Sequence, residues 1–290
     1  IRNVSASVSY TVTRGNYANI GAGITAKLGP FQLYAMTDNS LAANYTNTRM
    51  MNARVGINLL FGHKDHQKKK KEVPTEVLVE TARVWADVGC FAESRGGKYC
   101  ICAVTGPDEY NAIVDNNFYT NLMARENIRD AGWALDTLRA MDEAAWEALV
   151  AKLGVKEEER ALWNRIVENM YFPYDEGRKV YPLDDGFMMR KPWDESRIPP
   201  EKRHLLYENY HPLFIFRQRM SKQADAILGM VLHSNYFTEE ELRRNYDFYQ
   251  EVTLHHSSLS TCIFGILACR IGYEEEAYTY FAQSARMDLD

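Results

Sequence analysis

Three polar clusters in this 290-residue chain have residue types and spacing that could do chemistry. The first is Thr105-Gly-Pro-Asp-Glu-Tyr-Asn111, followed at once by Asp115-Asn-Asn-Phe-Tyr-Thr-Asn121. A Gly-Pro pair breaks regular structure and fixes a turn, so it can hold Asp108 and Glu109 in one orientation at the mouth of a helix. A carboxyl group held among Tyr110, Phe118 and Tyr119 is partly desolvated. Desolvation raises a carboxyl pKa, which suits a general acid working near neutral pH. The same Asp and Asn cluster also reads as an ordinary N-cap and turn.

The second cluster is Arg219-Met-Ser-Lys-Gln-Ala-Asp225, on a predicted helix near 212–233 whose apolar positions are Ile215, Leu228, Val231 and Leu232. Lys222 and Gln223 diverge by about a third of a turn there and could hold two neighbouring sugar hydroxyls. A solvated polar pair gives the same pattern. The third cluster is Thr253-Leu-His-His-Ser-Ser-Leu-Ser260, leading into an apolar helix from Cys262 to Ile271. A Ser-rich turn at a helix N-terminus offers free N–H groups, hydroxyls and the positive end of the dipole, the requirements for binding phosphate. One serine suffices for a cap, whereas this turn stacks two histidines and three serines.

Around these clusters the composition is that of an ordinary globular chain, 46% hydrophobic and 25% charged, with a net charge of -5. That is ample for one large or two small domains. Mild acidity argues against a nucleic-acid binder, which usually carries a basic face. Five cysteines, at 90, 100, 102, 262 and 269, give no disulfide framework. Cys100-Ile-Cys102 alternates along an expected strand and lacks zinc spacing. These thiols are expected to be buried or free in a reducing compartment. No apolar run of 18 or more residues is present, and no signal peptide opens the chain.

Composition changes abruptly near residues 63–74. Before that point Val4, Ala6, Val8, Tyr10 and Val12 alternate with Ser and Thr, and similar alternation returns at 20–28, 31–35 and 54–61. Period two over such lengths fits a membrane-barrel strand and equally a soluble antiparallel sheet with one wet face. Residues 64–72, Lys-Asp-His-Gln-Lys-Lys-Lys-Lys-Glu, read as a structureless charged linker that Pro74 ends. From Thr75 helical periodicity dominates, with Val77, Leu78, Thr81, Ala82 and Trp85 on one face. A hairpin about Arg95-Gly-Gly97 is expected, then helices near 116–139, 142–152, 156–170, 212–233, 238–249, 257–271 and 273–286. No short internal repeat is visible. Such a succession predicts an all-α toroid or bundle with its site at one end.

Two resemblances sharpen this reading. Leu28-Gly-Pro-Phe-Gln-Leu-Tyr34, Thr37-Asp-Asn39 and Val55-Gly-Ile-Asn-Leu-Leu-Phe-Gly62 resemble the C-terminal end of outer-membrane β-barrel proteins of Bacteroidetes-type bacteria. Four strands would be the tail of a barrel, since eight is the usual minimum; an outer-membrane origin, with membrane contact only through residues 1–62, is the implication. Thr105–Asn111, Asn116–Ala124, Tyr210-His-Pro-Leu213, Lys222-Gln-Ala-Asp225, Asn245-Tyr-Asp-Phe-Tyr249, His255–Ser260 and Ala285–Asp290 together resemble glycoside hydrolase family 65. That family holds the maltose, kojibiose, nigerose and trehalose phosphorylases, and the likeness runs over residues 75–290.

The second resemblance implies roughly the latter half of an (α/α)6 barrel, bacterial and cytoplasmic, and suggests a homodimer. It implies inverting phosphorolysis of an α-linked glucose disaccharide to β-glucose 1-phosphate, with inorganic phosphate as co-substrate and no cofactor or metal. Glu109 falls on the general acid, Lys222 and Gln223 on residues holding the glucosyl unit, and Ser257, Ser258 and His255 on the phosphate-binding turn. Inverting hydrolases need a second carboxylate to activate water. The turn at 253–260 contains none, which favours phosphorylase over a same-fold, trehalase-like hydrolase. His256 stands where relatives often carry Asp, Glu or Gly. The family's N-terminal β-sandwich, first barrel helices and Phe-Trp-Asp motif have no counterpart, and the chain stops at Asp290 before a further phosphate-contacting segment. The expectation is a fusion of two fragments, 1–62 and 75–290, carrying the phosphorylase signature without the activity.

Overall fold

The computed structural model describes residues 4–13, 17–28, 31–38, 52–59 and 66–286. The chain divides into two compact units, Ile1–Lys70 and Lys71–Asp290. In the first, β1 (Val4–Thr13), β2 (Tyr17–Leu28), β3 (Phe31–Asp38) and β4 (Asn52–Leu59) form an antiparallel meander in sequence order. Register pairs Val8 with Ala22, Ile24 with Ala35 and Leu33 with Ile57. The period-two pattern thus yields strands where it was expected. The turns between them, Leu60–Asp65 and Met287–Asp290 lie outside the described residues.

The second unit is helical. Helix α1 (His66–Val88) begins inside the charged run that was expected to be structureless. Lys and Glu are good helix formers, so a lysine block without glycine extends the helix toward its N-terminus. Among the described side chains of α1, Thr75, Val79 and Ala82 are buried, while Val77 and Thr81, expected on the inner face, are exposed. There follow the hairpin β5 (Cys90–Ala92) and β6 (Lys98–Cys100), with its turn at Gly96 (φ 64°) and Gly97 (φ 74°), a left-handed pair that side chains rarely adopt.

Helices α2 (Phe118–Met141), α3 (Glu143–Leu153) and α4 (Glu157–Asn169) come next. Short α5 (Leu206–Asn209) and α6 (Pro212–Phe216) and the parallel pair β7 (Lys191–Pro192) and β8 (Gln218–Arg219) lead to α7 (Ala226–Leu232). The unit ends with α8 (Glu239–Val252), α9 (Ser258–Arg270) and α10 (Glu274–Arg286). Local chemistry sets several ends. Asn117 and Asp142 cap α2 and α3 by accepting the N–H groups of Thr120 and Ala145. Gly154, at φ 62°, closes α3, and Thr238 with Glu241 forms a capping box on α8.

Helix α2 is the shared spine. Its Ala124, Ile128, Ala131, Leu135 and Leu138 recur at helical spacing and pack with Val79, Ala82, Tyr99, Ile101, Leu149, Trp163 and Ile166. Its first turn, Phe118 and Leu122, joins a second cluster with α7, α8 and α9 through Ile227, Met230, Tyr246, Tyr249, Phe264 and Leu267. A small third cluster, Tyr110, Ile198, Leu206, Ile215 and Met220, lies beneath the polar loops. Among the described residues, no helix is long and apolar enough to cross a membrane.

The single helix expected over 212–233 does not form. The chain is helical over 212–216, extended at 218–219, irregular to Asp225, and helical again over 226–232. Backbone groups of 221–224 find partners elsewhere. Ser221 N–H donates to Val252 O and Ser221 O accepts Leu254 N–H, both at 2.9 Å, while Ala224 N–H donates to Ser260 Oγ. Side chains that satisfy the backbone in this way compete with helix formation.

Candidate active site

Asp108, Lys222 and the 252–256 segment are laced by main-chain hydrogen bonds. The Asp108 carboxylate, fully buried, accepts Lys222 N–H at 2.7 Å, Tyr110 N–H at 3.4 Å and a close contact from Asn111 Nδ2. Asp108 N–H in turn donates to Asp225 Oδ2 at 3.1 Å, and Asn117 Nδ2 donates to Asp225 Oδ1 at 3.1 Å. On the same residue, the Lys222 carbonyl accepts His256 N–H at 2.9 Å. The loop carrying Glu109 and the serine turn are therefore anchored on either side of one lysine. Gly106 permits this closeness: a Cβ there would overlap the Asp225 and Asn117 side chains.

Glu109 points outward, with 57% of its side chain exposed, and is ion-paired with Lys222 Nζ. Tyr207 Oη donates to the Glu109 carbonyl, and the Tyr110 and Tyr207 rings meet edge to face at 5.1 Å. Gln223, buried, donates from Nε2 to Pro107 O, so it ties back to the same Gly-Pro turn. Lys222 and Gln223 thus sit on an irregular segment, not on the helix face expected for them.

Ser257 caps α9, its Oγ accepting Leu259 N–H at 3.3 Å, and exposed Ser258 is the first residue of that helix. His255 has φ 53°, and its ring is turned inward: Nδ1 meets Ser260 Oγ at 2.9 Å and Nε2 meets Tyr280 Oη at 3.0 Å. Burial, reinforced by neighbouring His256, pushes His255 down to about 4, so its ring is neutral and braces the turn that leads into α9 against α10. His256 faces the other way, Nδ1 at 3.4 Å from Tyr110 Oη. Of the six residues singled out from the sequence, Glu109, Lys222 and Gln223 share one hydrogen-bonded patch. Ser257 and Ser258 follow His256 directly from that patch, and His255 lies behind the turn.

Sequence reasoning did not single out Asp108, Asp225, Asn117 or Arg190 as a supporting layer. Arg190 pairs with buried Asp184 at 2.9 Å and donates to Asn111 Oδ1, which fixes the amide that serves Asp108. The only signal was the density of Asp and Asn in the motifs.

Burial lifts Asp108 to about 6, against the opposing hydrogen bonds from Asn111 and the Lys222, Tyr110 and Gln223 N–H groups. Burial, with the nearby Asp108 charge, lifts Asp225 to about 8. Both carboxyls hold protons more tightly folded than unfolded. Their contribution to stability is complete below the unfolded range near 4 and is lost as pH rises through about 6 and then about 8. Urea unfolding should therefore show a steeper loss of stability between about pH 5 and about pH 8.5 in the native chain than in Asp225→Asn, whose side chain cannot titrate. Parallel slopes for the two proteins would contradict this.

Residues 51–290 match the glycosyl hydrolase family 65 central catalytic domain. The chain belongs to that family. Residues 1–38 match a family of unknown function (DUF5723). Alpha,alpha-trehalose phosphorylase of Thermoanaerobacter brockii is 43% identical over 215 residues, 74% of this chain and 28% of the relative. Maltose phosphorylase of Bacillus subtilis (strain 168) is 37% identical over 221 residues, 76% of this chain and 28% of the relative. A solved structure, a putative kojibiose phosphorylase from the human microbiome, superposes with TM-score 0.68 at 28% identity, covering 78% of this chain and 31% of that one. The chain spans less than a third of the length of these relatives. Its helical unit is accordingly part of the family's (α/α)6 barrel, as the family resemblance implied. Among the described residues no group of three or more His, Cys, Asp or Glu is placed to hold a metal ion.

Proposed function

We propose that this site performs inverting phosphorolysis of an α-linked glucose disaccharide, giving β-glucose 1-phosphate and a sugar. Glu109 protonates the departing glycosidic oxygen. Lys222, ion-paired with it, and Gln223 hold hydroxyls of the glucosyl unit. Ser257, Ser258 and the first N–H groups of α9 receive inorganic phosphate, while His255 keeps the turn in shape. Phosphate brings its own negative charge, so it needs donors where an inverting hydrolase needs a base.

The observation that carries the reading is the pairing around Lys222: its Nζ on Glu109, its carbonyl on the N–H of His256, next to a serine turn with no carboxylate. Names of the relatives, trehalose, maltose and kojibiose phosphorylase, support the reaction class. Incubating the chain with maltose, kojibiose, nigerose and trehalose, with and without phosphate, tests it. Against the inactivity expected of a truncated fusion, this reading predicts glucose 1-phosphate release that requires phosphate and is slow because Glu109 faces solvent. Sugar release indifferent to phosphate would establish the hydrolase alternative instead.

Cytoplasmic residence of residues 75–290 accords with this chemistry, since phosphate and sugar phosphates are intracellular currency. For residues 1–62 the barrel-tail reading rests on the sequence resemblance; the four-stranded meander fits it and a soluble antiparallel sheet equally. That segment alone is expected to partition into detergent micelles, and clean solubility in plain buffer would refute the idea.

A further inference from the structure

The β5–β6 hairpin carries a cluster of thiols that the proposed reaction does not use. Cys90 and Cys100 are register partners across the two antiparallel strands. Residues directly opposite in such a pair have Cα atoms about 4.5–5.5 Å apart, inside the roughly 4.4–6.8 Å window for a disulfide. Side chains of opposed residues do meet here, because the next pair, Phe91 and Tyr99, has its rings in edge-to-face contact at 5.1 Å. Tyr99 and Ile101 point into the core with α2. By the two-residue period of a strand, Cys100 and its register partner Cys90 then share the opposite face, and Cys102 follows just past the end of β6.

Access differs among the three thiols. Cys90 and Cys102 are exposed, Cys100 is buried, and all are reduced. We propose that Cys90 and Cys100 form a thiol–disulfide exchange site whose oxidant is a low-molecular-weight disulfide of the glutathione type. Exposed Cys90 attacks first as thiolate, forming a mixed disulfide and expelling one small thiolate. Cys100 then attacks the Cys90 sulfur, the Cys90–Cys100 bond forms, and the second small thiolate leaves. The protein dithiol loses two electrons and two protons, and the small disulfide gains both to become two thiols. Burial holds the Cys100 thiol above its ordinary range, so the second step is the slow one near neutrality and quickens with pH.

The placement matters for the neighbouring loop. Just beyond Cys100, Ile101 exchanges two hydrogen bonds with Asn116, at 3.2 and 2.8 Å, and Val104 two with Val114, at 2.9 and 2.8 Å. Those bonds are the stem from which the Asp108–Glu109 turn springs. A bond between Cys90 and Cys100 ties the base of that stem across the hairpin. Its formation is independent of any phosphorolysis.

The test uses the whole chain, equilibrated in oxidised glutathione, with remaining thiols alkylated and the protein digested with trypsin without reduction. Arg95 and Lys98 lie between the two cysteines, so the bond appears as two joined peptides. The joined species is expected in the native chain and in Cys102→Ser, and to vanish in Cys100→Ser. Its rate of formation should rise about tenfold per pH unit between about pH 7 and about pH 8, following the thiolate fraction. Linkage through Cys102, a product that stops at glutathione on Cys90, or three thiols that stay reduced would each overturn the proposal.

Discussion

Glu109→Gln is expected to cut phosphate-dependent glucose 1-phosphate release by roughly 100- to 10,000-fold, the range a positioned general acid contributes. Fold stability should hardly change. The Glu109 side chain is more than half exposed and its one ion pair is with Lys222; pairs of that kind are worth about 0–1 kcal/mol. If Glu109 were merely a surface residue, the rate would follow stability and scarcely move. A collapse of rate with an unchanged melting curve separates the two readings. The variant should still bind phosphate, because the serine turn makes no use of the carboxylate. Retained turnover in Glu109→Gln would remove this residue from the chemistry, and lost phosphate binding would show that it shapes the turn instead.

Asp108→Ala should have the opposite signature. Its carboxylate is buried and accepts the N–H groups of Lys222 and Tyr110 and the amide of Asn111. Truncation strands those donors, each costing about 1–3 kcal/mol when unsatisfied and buried, against which the relief of a buried charge is a partial offset. A net loss of about 3 kcal/mol corresponds to a fall in melting temperature of roughly 6–12 °C for a unit of this size. Asp108→Asn keeps an acceptor for Lys222 N–H and should lose about half as much. A melting temperature within about 2 °C of native for the alanine variant would mean that water satisfies these donors and that Asp108 does not organise the site.

These two neighbours show how differently adjacent positions were legible. Glu109 stood out in the motif as a candidate because its setting, a Gly-Pro turn before a capped helix, is local. Asp108 could not be separated from it, since its partners Lys222 and Asp225 lie 114 and 117 residues away. The helices α2, α3, α4, α8, α9 and α10 were readable to within about two or three residues because periodicity and caps such as Asn117, Asp142 and Thr238 act over a single turn. The helix expected over 212–233 failed for the complementary reason. Its apolar spacing was helical, yet Thr253, Asp108 and Ser260 claim its polar groups from distant segments.

The sequence by itself determined the strand-then-helix division, the family and the three polar clusters on which the proposed site rests. Only the tertiary structure decided which histidine of the pair at 255–256 turns inward and which faces Tyr110. Only it brought Lys222 between the acid loop and the serine turn, and made the intervening carboxylates a buried layer. Backbone preferences and caps reach a few residues along the chain, whereas burial and hydrogen-bond partnership are properties of positions in space that no local pattern encodes.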